Sequence, residues 1–277
     1  MPRRSRHPRP CSRLEQSERL KIETIQLASG RSQQIVRVGA GPDLVWLHGL
    51  HGVPAHDPFV AELAKRFSVI APIAPGFNDL AELDDIRDVH DLALHYDDIL
   101  TALKLDRVCV IGHSFGAMIA AELAAHVPAR VARLALLSPI GVWRDDHPVA
   151  DLFGRPYTTI DKLIWAGGTP IGKMGVRDAS AGPVESLVTL ARGMTVVAKF
   201  LWPLPDKGLH RRLYRITSPS LVMSGAKDPL VPRSYAEVFR AGMHGAKAIE
   251  IAGAGHMLPY EQTDVVCKDL LPFMQTD

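Results

Sequence analysis

Short continuous apolar runs that alternate with stretches of helical spacing set the strongest limit on this fold. "LVWLHG" (44–49) is followed by "DPFVAELAKRF" (57–67), whose apolar residues recur every three or four positions. "SVIAPI" (68–73) precedes a helical region at about 85–105, and "RVCVIG" (107–112) runs into an alanine-rich helix. "LALLSPI" (134–140) is a fourth run. After a gap come "SLVMSG" (220–225), a helix near 233–241, "KAIEIAG" (247–253) and a closing helix from Glu261. Strands that are apolar throughout, joined by amphipathic helices, require a parallel sheet covered on both faces. Ahead of them, "LKIETIQLA" and "SQQIVRV" flank Ser29-Gly30 and read as a hairpin over 20–38. The expected class is α/β, a mostly parallel sheet with helices on both faces.

The rhythm breaks between about 141 and 213, where Gly and Pro cluster, apolar spacing is irregular and three of the four tryptophans fall. One sheet with a mostly helical insertion is expected: a core of 19–140 and 214–277, and an inserted cap at 141–213. The segment "WRDDH" (143–147) reads as a salt-bridge cluster at the hinge of that insertion. Ahead of the core, "MPRRSRHPRPCSR" carries five arginines and no acid, in a chain of 277 residues with net charge +2. It has no apolar signal core, and its prolines oppose an amphipathic helix, so residues 1–18 are expected to be a disordered basic tail. A basic tail on a mildly acidic body points away from nucleic acid as a partner. No run reaches the roughly 18 apolar residues of a membrane span. Three scattered cysteines, Cys11, Cys109 and Cys267, form neither a disulfide framework nor a metal motif. A reducing, cytoplasmic setting is expected.

The chemistry concentrates at "GHSFG" (112–116), where strand turns into helix. A serine between two glycines at such a turn is exposed on strained backbone. The glycines let strand and helix approach, and the free N–H groups of the helix start lie beneath the hydroxyl. Ser114 is therefore a candidate nucleophile, which needs a base and an acid to orient that base. Asp228 in "MSGAKDPLVP" and His256 in "IAGAGHMLPYE" both lie past strand ends, on the same sheet edge as Ser114. Asp228 could instead cap a turn, and Asp145 and Asp146 are rival acids at that edge. "WLHGLHG" supplies tight backbone after the first parallel strand. The N–H groups of Leu50 and Phe115 are the expected oxyanion donors. His48, His51 and His56 could be read as a metal cluster, but no carboxylate or cysteine pattern completes it, so neither metal nor cofactor is expected.

Taken together, "LHGLHG", "GHSFGA", "GAKDPLVP" and "GAGHMLPYE" resemble the α/β-hydrolase family over nearly all of the chain after the tail. The resemblance implies a nucleophile–acid–histidine order and a cap inserted after the strand ending near Ile140. It departs from the family at "APIAPGFND", where an Asp-x-x-Gly-x-Gly segment is usual. It also departs after His256, where Met257 and Leu258 stand in place of the Trp often found in carbon–carbon bond hydrolases. The expected function is a serine hydrolase for a small apolar or aromatic carboxylic ester or lactone. Carbon–carbon bond hydrolysis of a ring-cleavage diketone is the second reading, and a ligand receptor on the same scaffold the third. Trp143, Trp165, Phe200, Trp202 and Met257 are the expected pocket lining, although the aromatics are equally suited to form the core of the cap.

Overall fold

The computed structural model describes residues 20–54, 56–167 and 183–275; the tail expected over 1–18 lies outside them, as do residues 168–182 of the insertion. The sheet among the described residues has eight strands: β1 (Ile22–Gln26), β2 (Ser32–Val38), β3 (Asp43–Leu47), β4 (Ser68–Pro72), β5 (Val108–His113), β6 (Val131–Leu137), β7 (Ser220–Gly225) and β8 (Lys247–Ile251). Their spatial order is β1-β2-β4-β3-β5-β6-β7-β8. The hairpin β1–β2 and the β2–β4 pair are antiparallel, and every later pair is parallel.

Helices α1 (Pro58–Leu63), α2 (Val89–Ala102), α3 (Phe115–His126), α6 (Ser234–Gly242) and α8 (Thr263–Met274) connect or close the strands. The central strands β3, β5 and β6 are buried almost along their whole length, which is why they read as unbroken apolar runs. Several boundaries differ from the expectation for local reasons. The helix expected from about 85 begins at Val89, because Asp88 accepts the His90 and Asp91 N–H groups as an N-cap. β6 ends at Leu137, after which Ser138 takes a positive φ of 44°, its N–H still bonded to the Met223 carbonyl at 2.8 Å. The closing helix is broken at Gln262 (φ −140°) into the short α7 (Leu258–Glu261) and α8.

The strand order places the site. From β3 the chain crosses to β4 on one side, and β5 then pairs with β3 on the other. Loops leaving β3 and β5 therefore diverge at the sheet's carboxyl edge, the usual location of a ligand crevice in such sheets. Leu47 stands opposite Gly112 in the register, so His48 and His113 emerge side by side.

Between β6 and β7 the chain leaves the sheet over residues 138–219, with α4 (Asp161–Ile164) and the longer α5 (Pro183–Leu201). α5 crosses the carboxyl edge closely. A Cβ on Gly193 would lie 2.5 Å from the Leu50 carbonyl oxygen, and Lys199 donates to the Leu83 carbonyl at 2.8 Å. The return stretch rejoins the core earlier than the boundary expected at 213. Leu209 and Leu213 are buried, and Arg212 grips Glu122 of α3 through Nε (3.0 Å) and Nη2 (2.6 Å). Arg215 adds a bond to the Ala125 carbonyl at 2.8 Å. Among the described residues no helix is long and apolar enough to cross a membrane.

The Glu122 side chain is 2% exposed, and that guanidinium holds both of its oxygens. Arg212→Ala is expected to lower the unfolding free energy by about 3–5 kcal/mol, since it strands a buried carboxylate. Glu122→Gln combined with Arg212→Met should recover most of the loss. Urea unfolding of the three variants measures both effects.

Candidate active site

Ser114 sits at the junction of β5 and α3 with φ 55° and ψ −116°. A side chain tolerates that conformation only under compulsion, and here crowding supplies it. A Cβ on Gly112 would lie 2.3 Å from the Gly116 carbonyl oxygen, and one on Gly116 would lie 2.0 Å from the Leu47 carbonyl oxygen. Both glycines are thus required by contact, and the serine is the residue pushed outward. Its N–H is held by the Leu137 carbonyl at 2.9 Å, and the N-terminus of α3 begins immediately after it.

Asp228 follows β7 and His256 follows β8. The structure brings both to the serine. His256 Nδ1 is 2.9 Å from Asp228 Oδ2, and His256 Nε2 is 2.7 Å from Ser114 Oγ. A carboxylate accepts, so Nδ1–H donates to Asp228, and with the proton there the neutral ring accepts the serine hydroxyl at Nε2. Asp228 also fills the turn-capping role that its sequence position suggested, since Oδ1 accepts the N–H groups of Leu230 and Val231, each at 2.9 Å. The two oxygens divide the tasks: one fixes the carboxylate and the other orients the imidazole. The rival acids are occupied elsewhere. Asp145 accepts the indole N–H of Trp143 at 2.8 Å, and Asp146 pairs with Arg144 in the ion-pair cluster of "WRDDH".

Surrounding buried groups hold this arrangement. His113 donates Nε2–H to the His256 carbonyl at 2.8 Å; burial lowers its pKa to about 3, so the ring stays neutral. His48 donates Nδ1–H to the Gly49 carbonyl and accepts the Ala74 N–H at Nε2, with its pKa lowered by burial to about 4. That fixes the loop leading to Leu50 through ordinary hydrogen bonds on both ring nitrogens. Asp57 caps α1 and accepts the Tyr260 hydroxyl at 3.0 Å, while burial lifts its pKa to about 6.

A small apolar cavity adjoins the serine, with free space of about 20 Å³, room for little more than one water. Leu50 and Phe115 line it together with Ser114, which puts the two expected oxyanion-loop residues beside the hydroxyl; His51, His113 and His256 are the other polar neighbours. Met257 also borders it. The aromatic expectations need correction. Trp202 is 57% exposed, and Trp143 is half-buried with its indole turned to Asp145. Trp165 and Phe200 are buried without lining the cavity, Phe200 stacking on Phe115 with ring centres 5.8 Å apart. Apart from Phe115 the apolar wall is aliphatic instead, with Ile140, Leu152, Ile164, Val197, Leu201 and Leu230. Val197 and Leu201 are one helical turn apart on α5, and that i, i+4 spacing was the available signal. His113 was legible inside "GHSFG" but carries no sign of its role, which depends on a carbonyl 143 positions away.

A family model described as the alpha/beta hydrolase family matches residues 44–269. The 2-hydroxy-6-oxo-2,4-heptadienoate hydrolase of Pseudomonas putida is 36% identical over 127 residues, covering 44% of this chain and 46% of that protein. Among solved structures, the 2-hydroxy-6-oxo-6-phenylhexa-2,4-dienoate hydrolase of a Rhodococcus strain superposes with a TM-score of 0.74. That match has 19% identity and covers 93% of this chain and 100% of the other. Naproxen esterase from Bacillus subtilis superposes with a TM-score of 0.69 at 18% identity, covering 94% and 93% of the two chains.

The buried groups give a pH signature. His48 and His113, with His95 at about 4, are held neutral below the ordinary histidine value; in the unfolded chain they gain protons as pH falls below 6.5. Their contribution to stability is present above pH 6.5 and is lost toward pH 4. Asp57 opposes them, since its folded pKa of about 6 exceeds its unfolded value of 3.8. At pH 5 these four groups together should take up about two protons on unfolding. Urea midpoints measured from pH 7 to pH 4.5 are therefore expected to fall steadily, and Asp57→Asn should steepen the fall.

Proposed function

Because the chain belongs to the alpha/beta hydrolase family, we propose that it is a serine hydrolase acting by acyl transfer on a small apolar carboxylic ester or lactone. The reading rests above all on the continuous line from Asp228 through His256 to Ser114, with separations of 2.9 and 2.7 Å. His256 takes the serine proton at Nε2 as Oγ attacks the carbonyl carbon. Asp228 stabilises the imidazolium so formed, with its other oxygen already committed to backbone N–H groups. The N–H groups of Leu50 and Phe115 receive the developing oxyanion. His256 then returns the proton to the departing alcohol, and water, activated by the same ring, releases the acid.

The aliphatic wall favours an uncharged acyl group, which gains from desolvation there, over a substrate that brings its own carboxylate. The free space of about 20 Å³ is smaller than any ester, so the described parts of the insertion that are not held to α3, residues 143–167 and 183–208, act as a cap that shifts to admit substrate. Leu152, Ile164, Val197 and Leu201 are its contribution to the wall. The buried thiols of Cys109 and Cys267 suit a reducing, cytoplasmic setting. Carbon–carbon bond hydrolysis is the second reading, favoured by the 36% identity to the heptadienoate hydrolase over 127 residues.

Turnover of a p-nitrophenyl ester series from acetate to octanoate tests the proposal. Ser114→Ala is expected to lower kcat/KM by about 10⁴-fold or more, and Asp228→Asn by a similar factor. A wild-type protein that turns over none of these esters, but cleaves a 6-oxo-dienoate, would transfer the assignment to the second reading.

A further inference from the structure

The loop carrying His256 is pinned at three successive backbone points. The Gly255 N–H donates to Glu261 Oε2 at 2.6 Å, and the His256 carbonyl accepts from His113 at 2.8 Å. The Met257 N–H donates to the Ile164 carbonyl at 3.1 Å. Two of the three lead into the inserted segment. Ile164 belongs to it directly, and the other oxygen of Glu261, Oε1, accepts the Ala166 N–H at 2.7 Å. The packing there is tight enough that a Cβ on Gly255 would lie 2.5 Å from the Ala166 nitrogen. Glu261 is itself buried, and none of the catalytic steps above uses it.

We propose that Glu261 is a positioning residue that clamps the inserted segment to the histidine loop, so that Ser114 is fully activated only while residues 164–166 are docked. This rests on the reading of His256 as general base. Residue type supports it. A carboxylate accepts at both oxygens and donates nothing, matching two converging N–H donors. A glutamine of the same shape would accept one N–H and turn its own NH₂ toward the other, leaving a buried donor unmet. Because 164–166 also borders the substrate cavity through Ile164, the clamp makes access and activation one event. When the segment moves to admit a substrate, it releases both Met257 and Glu261, and its return restores the geometry in which Nε2 faces the hydroxyl.

Two variants disturb the same clamp from opposite ends. Glu261→Gln alters the acceptor. Ala166→Pro removes the donor, and the preceding Trp165, at φ −106° and ψ 137°, already has a backbone suited to stand before proline. Three quantities are measured: kcat and KM on the best p-nitrophenyl ester, the rate at which a fluorophosphonate labels Ser114, and the melting temperature. Each single variant is expected to lower kcat and the labelling rate about tenfold, with KM for Glu261→Gln changed by less than about threefold. The double variant should be no slower than the worse single one, since one interaction cannot be lost twice. Wild-type kcat and labelling in a folded Glu261→Gln protein, or effects that multiply in the double variant, would overturn the inference. If Glu261→Gln does not fold, Ala166→Pro carries the same comparison alone. Should the wild type hydrolyse no ester yet be labelled at Ser114, the labelling rates still decide the role of Glu261, while the ester reading fails separately.

Discussion

The contact between the start of α3 and the end of β3 governs the rest of the molecule. Gly116 lies so close to the Leu47 carbonyl that no side chain fits between them, and Gly112 is equally pressed against the Gly116 carbonyl. That approach bends the chain sharply, forces Ser114 to φ 55° and sets its hydroxyl on top of the sheet. The same approach brings the loop after β3, with Leu50, beside the first turn of α3, with Phe115. Ser114 and the proposed backbone donors are therefore placed by one packing event, paid for by the burial of β3, β5 and α3 in the core. Asp228 and His256 need only arrive at the same edge, and parallel strands β7 and β8 deliver them there.

How much of this could be read in the sequence depended on whether the determining contact was local. Strands buried on both faces declare themselves as apolar runs, so the sheet was legible, with errors confined to ends set by single events such as the Asp88 cap and the Ser138 φ. Ser114 was legible because its strain requires two glycines within two positions. Asp228 and His256 were legible because strand ends and turn residues mark them. The cavity wall was not. Aromatic residues drew attention as pocket formers, yet Trp202 faces solvent and Phe200 serves as packing behind Phe115. Which way a side chain faces in an irregular segment is set by distant partners, and composition does not record it. For the same reason the roles of His113 and Glu261 were hidden. One acts on a carbonyl 143 positions away and the other on an N–H 95 positions away.

The site is surrounded by titratable groups kept out of their ordinary charge states. His48 and His113 are neutral far below the usual histidine value, and Asp57 resists ionisation until about pH 6. Each is buried with hydrogen bonds that fix its ring or carboxylate, so they act as rigid spacers rather than proton carriers. A fixed positive charge at His113, whose ring centre lies 5.5 Å from that of His256, would oppose the imidazolium that the proposed mechanism forms.

The aliphatic wall has one more implication. Away from Ser114 and the histidines, leucine, isoleucine, valine and methionine side chains offer no directional contact, so that part of the wall registers the bulk of a guest and not its identity. Each added methylene that finds room gains about 0.8 kcal/mol, roughly fourfold in equilibrium terms, and each one too many meets a close-packed surface. On the proposed reading, selectivity built in this way would have a gradual rise and an abrupt far edge, and substitutions that trim or extend a single wall residue would move that edge without touching Ser114 or His256.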